Sequence, residues 1–117
     1  MHVVRLAEAP AYEAPKHFDV SSLRLQSAET SGAEFCAVGL SYYQPGGRAE
    51  MDAGPQPKIY VVLSGEISVT LASGEKTVLG PFDSCVIEAN ENRAVTNDTT
   101  GEVVMLVITP PAFRPPN

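Results

Sequence analysis

Histidine is nearly absent from this chain: His2 and His17 are the only two, and both fall before residue 20. With so few, no Ser-His-Asp or Cys-His grouping can assemble unless the N-terminal segment folds onto the rest. Lone histidines without a ligand spacing are ordinarily solvated or packing residues. Cysteine is as scarce: Cys36 and Cys85 lie far apart, each in an apolar run, and match neither a CxxC pair nor a secreted disulfide framework. They read as buried free thiols. Positive charge is also short, with 8 Lys+Arg against 14 Asp+Glu, a formal charge of -6 and a pI near 4.7. That balance argues against a nucleic-acid surface or an anionic membrane as partner. No apolar run approaches the roughly 20 residues of a membrane span, and MHVVRLAEAP lacks the apolar core and cleavage site of a leader. A cytoplasmic protein is expected.

Helical periodicity is almost missing too, and the dominant period is two. In EISVTLA, Ile67, Val69 and Leu71 alternate with Glu66, Ser68 and Thr70, the pattern of a strand with one buried face. Ser64-Gly65 and Ser73-Gly74 are turn signals that join KIYVVL, EISVTLA and KTVL into a meander. SCVIEA, NRAVTN and EVVMLVIT follow at short spacing, and SSLRLQ and EFCAVGLSYY precede. Short strands without a long helical segment predict an all-β antiparallel sandwich or barrel. With 117 residues and 44% hydrophobic content there is room for one domain. We expect an extended N-terminal arm over 1–20 with Pro10 and Pro15, a barrel over 21–110, and a proline-rich tail over 111–117 that cannot continue a ladder. Between EFCAVGLSYY and KIYVVL, the stretch PGGRAEMDAGPQP reads as a glycine- and proline-rich loop.

The spacing of this central region is informative. Gly46 is followed after five residues by Asp52-x-Gly54, after three more by Lys58, and after six more by Gly65. It resembles the first motif of the cupin family at every position, with Asp52, Gly54 and Lys58 standing where that motif has His-x-His and glutamate. KIYVVLSGEISV is a specific signature of the family. The second motif is matched by Asp83 and Asn97, with Arg93 at the place of its histidine and Glu88 at that of its proline. The resemblance runs from about Leu40 to Pro110. It implies a jelly-roll barrel of about six to eight strands whose interior ordinarily holds a divalent metal on three histidines and a glutamate. Carried over residue by residue, those ligands fall on Asp52, Gly54, Lys58 and Arg93. Only Asp52 can bind a metal, and two of the others are cations, so no metal and no cofactor are expected.

The family's glutamate faces the barrel interior, and alternation along a strand then turns Lys58, Tyr60 and Val62 inward. By the same rule Arg93, Val95 and Asn97 look in from the opposing strand, and Asp52 from the preceding loop. A lysine and an arginine would then share a cavity, and cations in a low-dielectric interior need anions. Either Asp52 and another carboxylate neutralise them as an internal network, or a bound anion does, or one cation snorkels to the mouth. Arginine suits a bidentate grip on a carboxylate and lysine a point charge beside an oxyanion. Asp52 and Tyr60 are the candidate acid-base groups. Lys58, Arg93, Arg48 near the entrance, Tyr43 (one of two consecutive tyrosines, so that one faces in) and Asn97 are the candidate ligand-binding residues. Cys85 would be a nucleophile only if it faced the cations. The expected function is binding of a small organic anion, with isomerisation, epimerisation, elimination or lactone opening by proton transfer as the available chemistry. Non-catalytic ligand sensing and a purely structural barrel are the alternatives. Apolar strand surface, the flanking arms and the habit of the family suggest a homodimer.

Overall fold

The computed structural model describes residues 1–111; residues 112–117 of the expected tail lie outside the described residues. Among the described residues there are nine strands: β1 (Ala11–Tyr12), β2 (His17–Gln26), β3 (Ala37–Asp52), β4 (Lys58–Ser64), β5 (Ile67–Leu71), β6 (Lys76–Leu79), β7 (Ser84–Ile87), β8 (Arg93–Thr96) and β9 (Val103–Thr109). All pair antiparallel, in the order β6-β5-β8-β3-β9-β4-β7, and β2 runs along the other edge of β3 with β1 beyond it. The result is the all-β, nearly closed barrel that the period-two pattern predicted.

The alternation explains the core. Tyr60 and Val62 of β4, Ile67 and Val69 of β5, Val95 of β8, and Val103 and Met105 of β9 point inward and are buried together with Tyr43, Ala49, Leu79 and Ile87. Each fully buried aliphatic side chain contributes about 1.5–3 kcal/mol relative to exposure. The outward residues of the same strands, such as Ile59 and Val86, remain exposed.

β3 holds the barrel together. Its first half pairs with β9 (Ala37↔Thr109 through Tyr43↔Val103) and its second half with β8 (Arg48↔Thr96 to Asp52↔Arg93). The switch between them is Pro45-Gly46-Gly47. Gly46 takes a left-handed φ of 79°, and a Cβ on Gly47 would meet the carbonyl oxygens of Asp19 at 2.5 Å and Gln44 at 2.8 Å. Only glycines allow so tight a corner. Residues 45–52, expected as loop, are therefore strand: proline and glycine break a straight ladder, but at a bend they are what lets one strand serve both halves.

Asn97, expected to face a ligand, secures this corner instead. Its backbone exchanges bonds with Gly46 and Gly47, each at 2.9 Å. Its Nδ2 donates to the carbonyls of Tyr43 (2.9 Å) and Gly101 (2.8 Å), and its Oδ1 accepts from Thr99 N (3.0 Å) and Thr99 Oγ1 (2.6 Å). The side chain is 1% exposed and fully engaged.

At the N-terminus the paired structure begins earlier than expected. β2 starts at His17, so the junction foreseen at residue 20 falls within a strand, and β1 adds Tyr12 opposite Ser22. A short helix, α1 (Ala28–Ser31), also escaped the period-two reading. Ser27 caps it by accepting from Thr30 N at 3.1 Å, and Gly32 ends it with a left-handed φ of 74°.

Asn97→Ala should lower the unfolding free energy by about 3 kcal/mol, because it strands several buried backbone partners at once. Urea denaturation would show this as a lower midpoint at unchanged slope. A loss below about 1 kcal/mol would mean that the corner holds without the amide.

Candidate functional site

Lys58 opens β4 and Arg93 opens β8, and the two side chains face one cavity of about 240 Å³ inside the barrel. Tyr60 shares the inner face of β4 with Lys58. Arg93, only 7% exposed, donates from Nε to the Tyr60 hydroxyl at 2.7 Å and from Nη1 to the Glu50 carbonyl at 3.4 Å. Among the described residues the guanidinium is thereby pinned by neutral oxygens. Lys58 is half-buried, and its ammonium has no hydrogen bond or ion pair among the described residues. A Cβ placed on Gly54 would lie 3.7 Å from Lys58 Nζ, so the glycine at this motif position leaves space beside the ammonium.

The electrostatics follow from that geometry. Burial, then the neighbouring Arg93 charge, holds the Lys58 pKa below the usual lysine range, with Asp52 opposing only as a smaller influence. Burial pushes the Tyr60 phenol up, against the pull of Arg93.

Asp52 does not complete a network with these cations. Its Cα partner is Arg93, but its carboxylate pairs with Lys16 Nζ at 3.5 Å on the outside, with 44% and 56% of the two side chains exposed. The Ala53 backbone N–H and then Lys16 hold its pKa below the ordinary aspartate value. The other candidates disperse as well. Arg48 is exposed, its guanidinium 4.5 Å over the Phe18 ring. Tyr43 is in the core, where burial drives its phenol far above the normal tyrosine range. Cys85 sits opposite Tyr60 in register but packs against the core, and burial raises its thiol.

The N-terminal strands supply what sequence reasoning missed. His17, Ser22 and Arg24 from β2, Ser41 from β3 and Tyr12 from β1 line the same cavity. Ser22 and Ser41 face each other across the ladder with their hydroxyls 3.0 Å apart. Tyr12 has the Arg24 guanidinium stacked 3.9 Å from its ring centre and its hydroxyl against Gly39, where a Cβ would collide with it. Ser41, a buried serine in the apolar run AVGLSYY, was the available signal. His17 carried none, because an arm has no parity until it is paired.

A larger cleft of about 440 Å³ lies outside the barrel between α1 and the end of β9, and shares Arg24 and Thr109 with the inner cavity. The converging cations and hydroxyls mark the inner cavity as the site. Its residues do not fit the divalent metal that the motif spacing implies. Of the four ligand positions, Asp52 turns away to Lys16, Gly54 has no donor, and Lys58 and Arg93 are cationic. No group of three or more His, Cys, Asp or Glu side chains that could hold a metal occurs among the described residues.

The barrel and its motifs define the class. A family model described as "Cupin domain" matches residues 39–109, and the chain belongs to the cupin family. It is 43% identical over 107 residues to a protein named β-D-galactosidase Rv1717 from Mycobacterium tuberculosis, covering 92% of this chain and 91% of that one. Among solved structures it resembles the polyketide cyclase RemF of Streptomyces resistomycificus, with a TM-score of 0.85, 20% identity, and 99% and 82% of the two chains covered. It also resembles a cupin-superfamily sugar phosphate isomerase, SPO2919, of Silicibacter pomeroyi, with a TM-score of 0.76, 20% identity, and 97% and 76% covered. These two structures establish the jelly-roll fold and nothing finer.

The charge arrangement makes opposite predictions for the two cations. Because folding lowers the Lys58 pKa, the unfolded chain binds that proton more tightly, and the charge opposes folding at neutral pH. Lys58→Met should therefore melt no lower than wild type at pH 7. Arg93→Met leaves the Tyr60 hydroxyl and Glu50 carbonyl without their donor and should cost about 1–3 kcal/mol. A loss of about 3–5 kcal/mol in Lys58→Met would reveal a broken buried ion pair and refute the unpaired lysine.

Proposed function

We propose that this cupin binds a small carboxylate-bearing, hydroxylated molecule in the barrel cavity and acts on it by proton transfer, without a metal. The observation that carries the reading is that Lys58 and Arg93 face one cavity with no acidic partner for either among the described residues. A bound carboxylate would take the place of the missing anion, with Arg93 as the rigid donor and Lys58 as the mobile charge. Ser22, Ser41 and the tyrosine hydroxyls provide partners for the ligand's own hydroxyls. The Tyr60 oxygen already accepts from Arg93, which leaves its O–H to donate and makes it the acid of the pair.

The relative named β-D-galactosidase supports a sugar-like ligand and favours a second reading, hydrolysis of a β-galactoside. Glycoside hydrolysis ordinarily uses two carboxylates across the scissile bond, and none of the described residues lining this cavity supplies one. Hydrolysis would have to run through Tyr60 as nucleophile, as in the glycosidases that use tyrosine.

A thermal-shift series separates these readings. D-galacturonate should raise the melting temperature by mass action, more than D-galactose does, and the gain should shrink with added salt and in Lys58→Met. Equal shifts with the two sugars, together with release of nitrophenol from o-nitrophenyl β-D-galactoside by wild type but not Tyr60→Phe, would replace the anion reading with the hydrolase one.

The outer surface supports a two-fold homodimer as the working unit. Ile59 and Val86, 42% and 54% exposed, are cross-strand partners, and Ile59 also pairs with Ile108 of β9. An apolar patch built on rigid strands is suited to self-association. Light scattering should give about twice the 12.4 kDa chain mass, and Ile59→Lys should halve it. A wild-type mass of 12.4 kDa at micromolar concentration would remove the dimer.

A further inference from the structure

We infer that His17 is the proton acceptor of this site, working through Nε2 on a carbon acid whose carboxylate is held by Arg93 and whose developing oxyanion is held by Lys58. The inference rests on the anion-binding reading above and adds to it the group that takes the proton and the class of substrate, a small 2-oxo acid or its equivalent.

Geometry selects His17. Its ring lines the cavity with Lys58, Tyr60 and Arg93, and stands 6.4 Å from the Tyr43 ring. Nδ1 is 2.8 Å from the Pro15 carbonyl oxygen, which can only accept, so Nδ1 carries the proton and the neutral ring has its lone pair on Nε2. Nε2 has no partner among the described residues, and no fully buried side-chain nitrogen or oxygen is left unpartnered, so this nitrogen is one that solvent reaches. The chain bends to bring it there: Lys16, just before it, adopts a left-handed φ of 59°, held by Glu50 N–H donating to its carbonyl at 3.0 Å and by Asp52 on its ammonium. The surface pair Lys16–Asp52 thereby positions the histidine and is not itself part of the chemistry.

The surroundings keep the ring in its basic form. Burial lowers its pKa, the Pro15 bond opposes this, and the Arg93 and Lys58 charges lower it further. Among the described residues, the titratable groups that line the cavity with it are Tyr12 of β1, Arg24 of β2, Lys58 and Tyr60 of β4 and Arg93 of β8, with no carboxylate. The other candidate bases are accounted for: Asp52 is engaged outside, the Tyr60 oxygen already accepts from Arg93 and burial keeps its phenol protonated, and Cys85 packs against the core.

The step balances without an added reactant. The C–H bond next to the substrate carbonyl breaks, and its electron pair becomes the C=C bond of an enolate. The carbonyl electrons move onto oxygen beside Lys58, and the proton forms N–H on Nε2. Return of the proton to the other face, or to another carbon, gives epimerisation or isomerisation.

Pyruvate in D2O tests the assignment, since its methyl protons exchange only through the enolate. Wild type should accelerate loss of the methyl signal in proton NMR, and His17→Gln, whose amide can keep the Pro15 bond, should lower that rate about a hundredfold while retaining the pyruvate-induced rise in melting temperature. If neither pyruvate nor D-galacturonate gives a thermal shift on wild type, the anion site itself fails; if D-galacturonate alone does, the 2-oxo acid class fails and the anion site stands. If pyruvate binds but wild type does not accelerate exchange, or His17→Gln exchanges as fast, the histidine assignment fails and the anion site stands. Nitrogen NMR of wild type provides a second readout that needs no variant. The Nδ1–H tautomer, with a midpoint below 6.5 that rises when pyruvate binds, is expected; an Nε2–H tautomer overturns the proposal.

Discussion

Two positive charges in one cavity, with no acid paired to either among the described residues, set the conditions for the rest of this molecule. Burying an unpaired ion costs several kcal/mol, and the fold limits that cost in two ways. Arg93 is deep but pinned by a phenol and a backbone carbonyl. Lys58 is only half-buried and keeps access to solvent beside Gly54. A carboxylate entering the cavity would relieve both, so the same imbalance that weakens the empty protein favours the occupied one. Asp52 is diverted to Lys16, and that diversion does two things: it leaves the Lys58 charge only weakly opposed and it steadies the bend that brings His17 to the cavity wall.

The scaffold serves this arrangement through one strand. β3 pairs with β9 and then with β8, so its corner at Pro45-Gly46-Gly47 fixes where Arg93 on β8 meets Tyr60 on β4. Asn97 locks the corner with an amide whose donors and acceptor are all occupied. Along the far edge of β3, β2 adds His17 and Ser22, which meets Ser41 of β3, and β1 adds Tyr12 opposite Ser22. The polar wall of the site is thus contributed by the edge strands, while the core strands contribute the cations.

Much of the barrel was legible because alternation and Ser-Gly turns are local signals, and motif spacing alone identified the family. The same spacing put Lys58 and Arg93 at ligand positions, and the structure has both on one cavity with Tyr60. What was not legible depended on pairing over long distances. Residues 45–52 read as loop because proline and glycine signal breaks unless a bend between two partners demands them. Asn97 sits at the expected parity, yet its short amide is captured by the turn that follows it, which no period reports. Asp52 occupies its motif position, but a lysine from the N-terminal segment takes its charge. His17 was read as a solvated or packing residue because the face of an N-terminal residue is defined only by its register on β3.

The titration of Lys58 tests the central claim most directly. With the lysine side chains labelled at Cε, carbon NMR would follow the Lys58 ammonium through deprotonation in the free protein and with a carboxylate bound. An uncompensated cation beside Arg93 should lose its proton clearly below the ordinary lysine value of 10.5 and recover toward it when the carboxylate binds. A free-protein midpoint at or above 10.5, unchanged by carboxylates, would mean that an acid already neutralises Lys58, and the anion site would not exist.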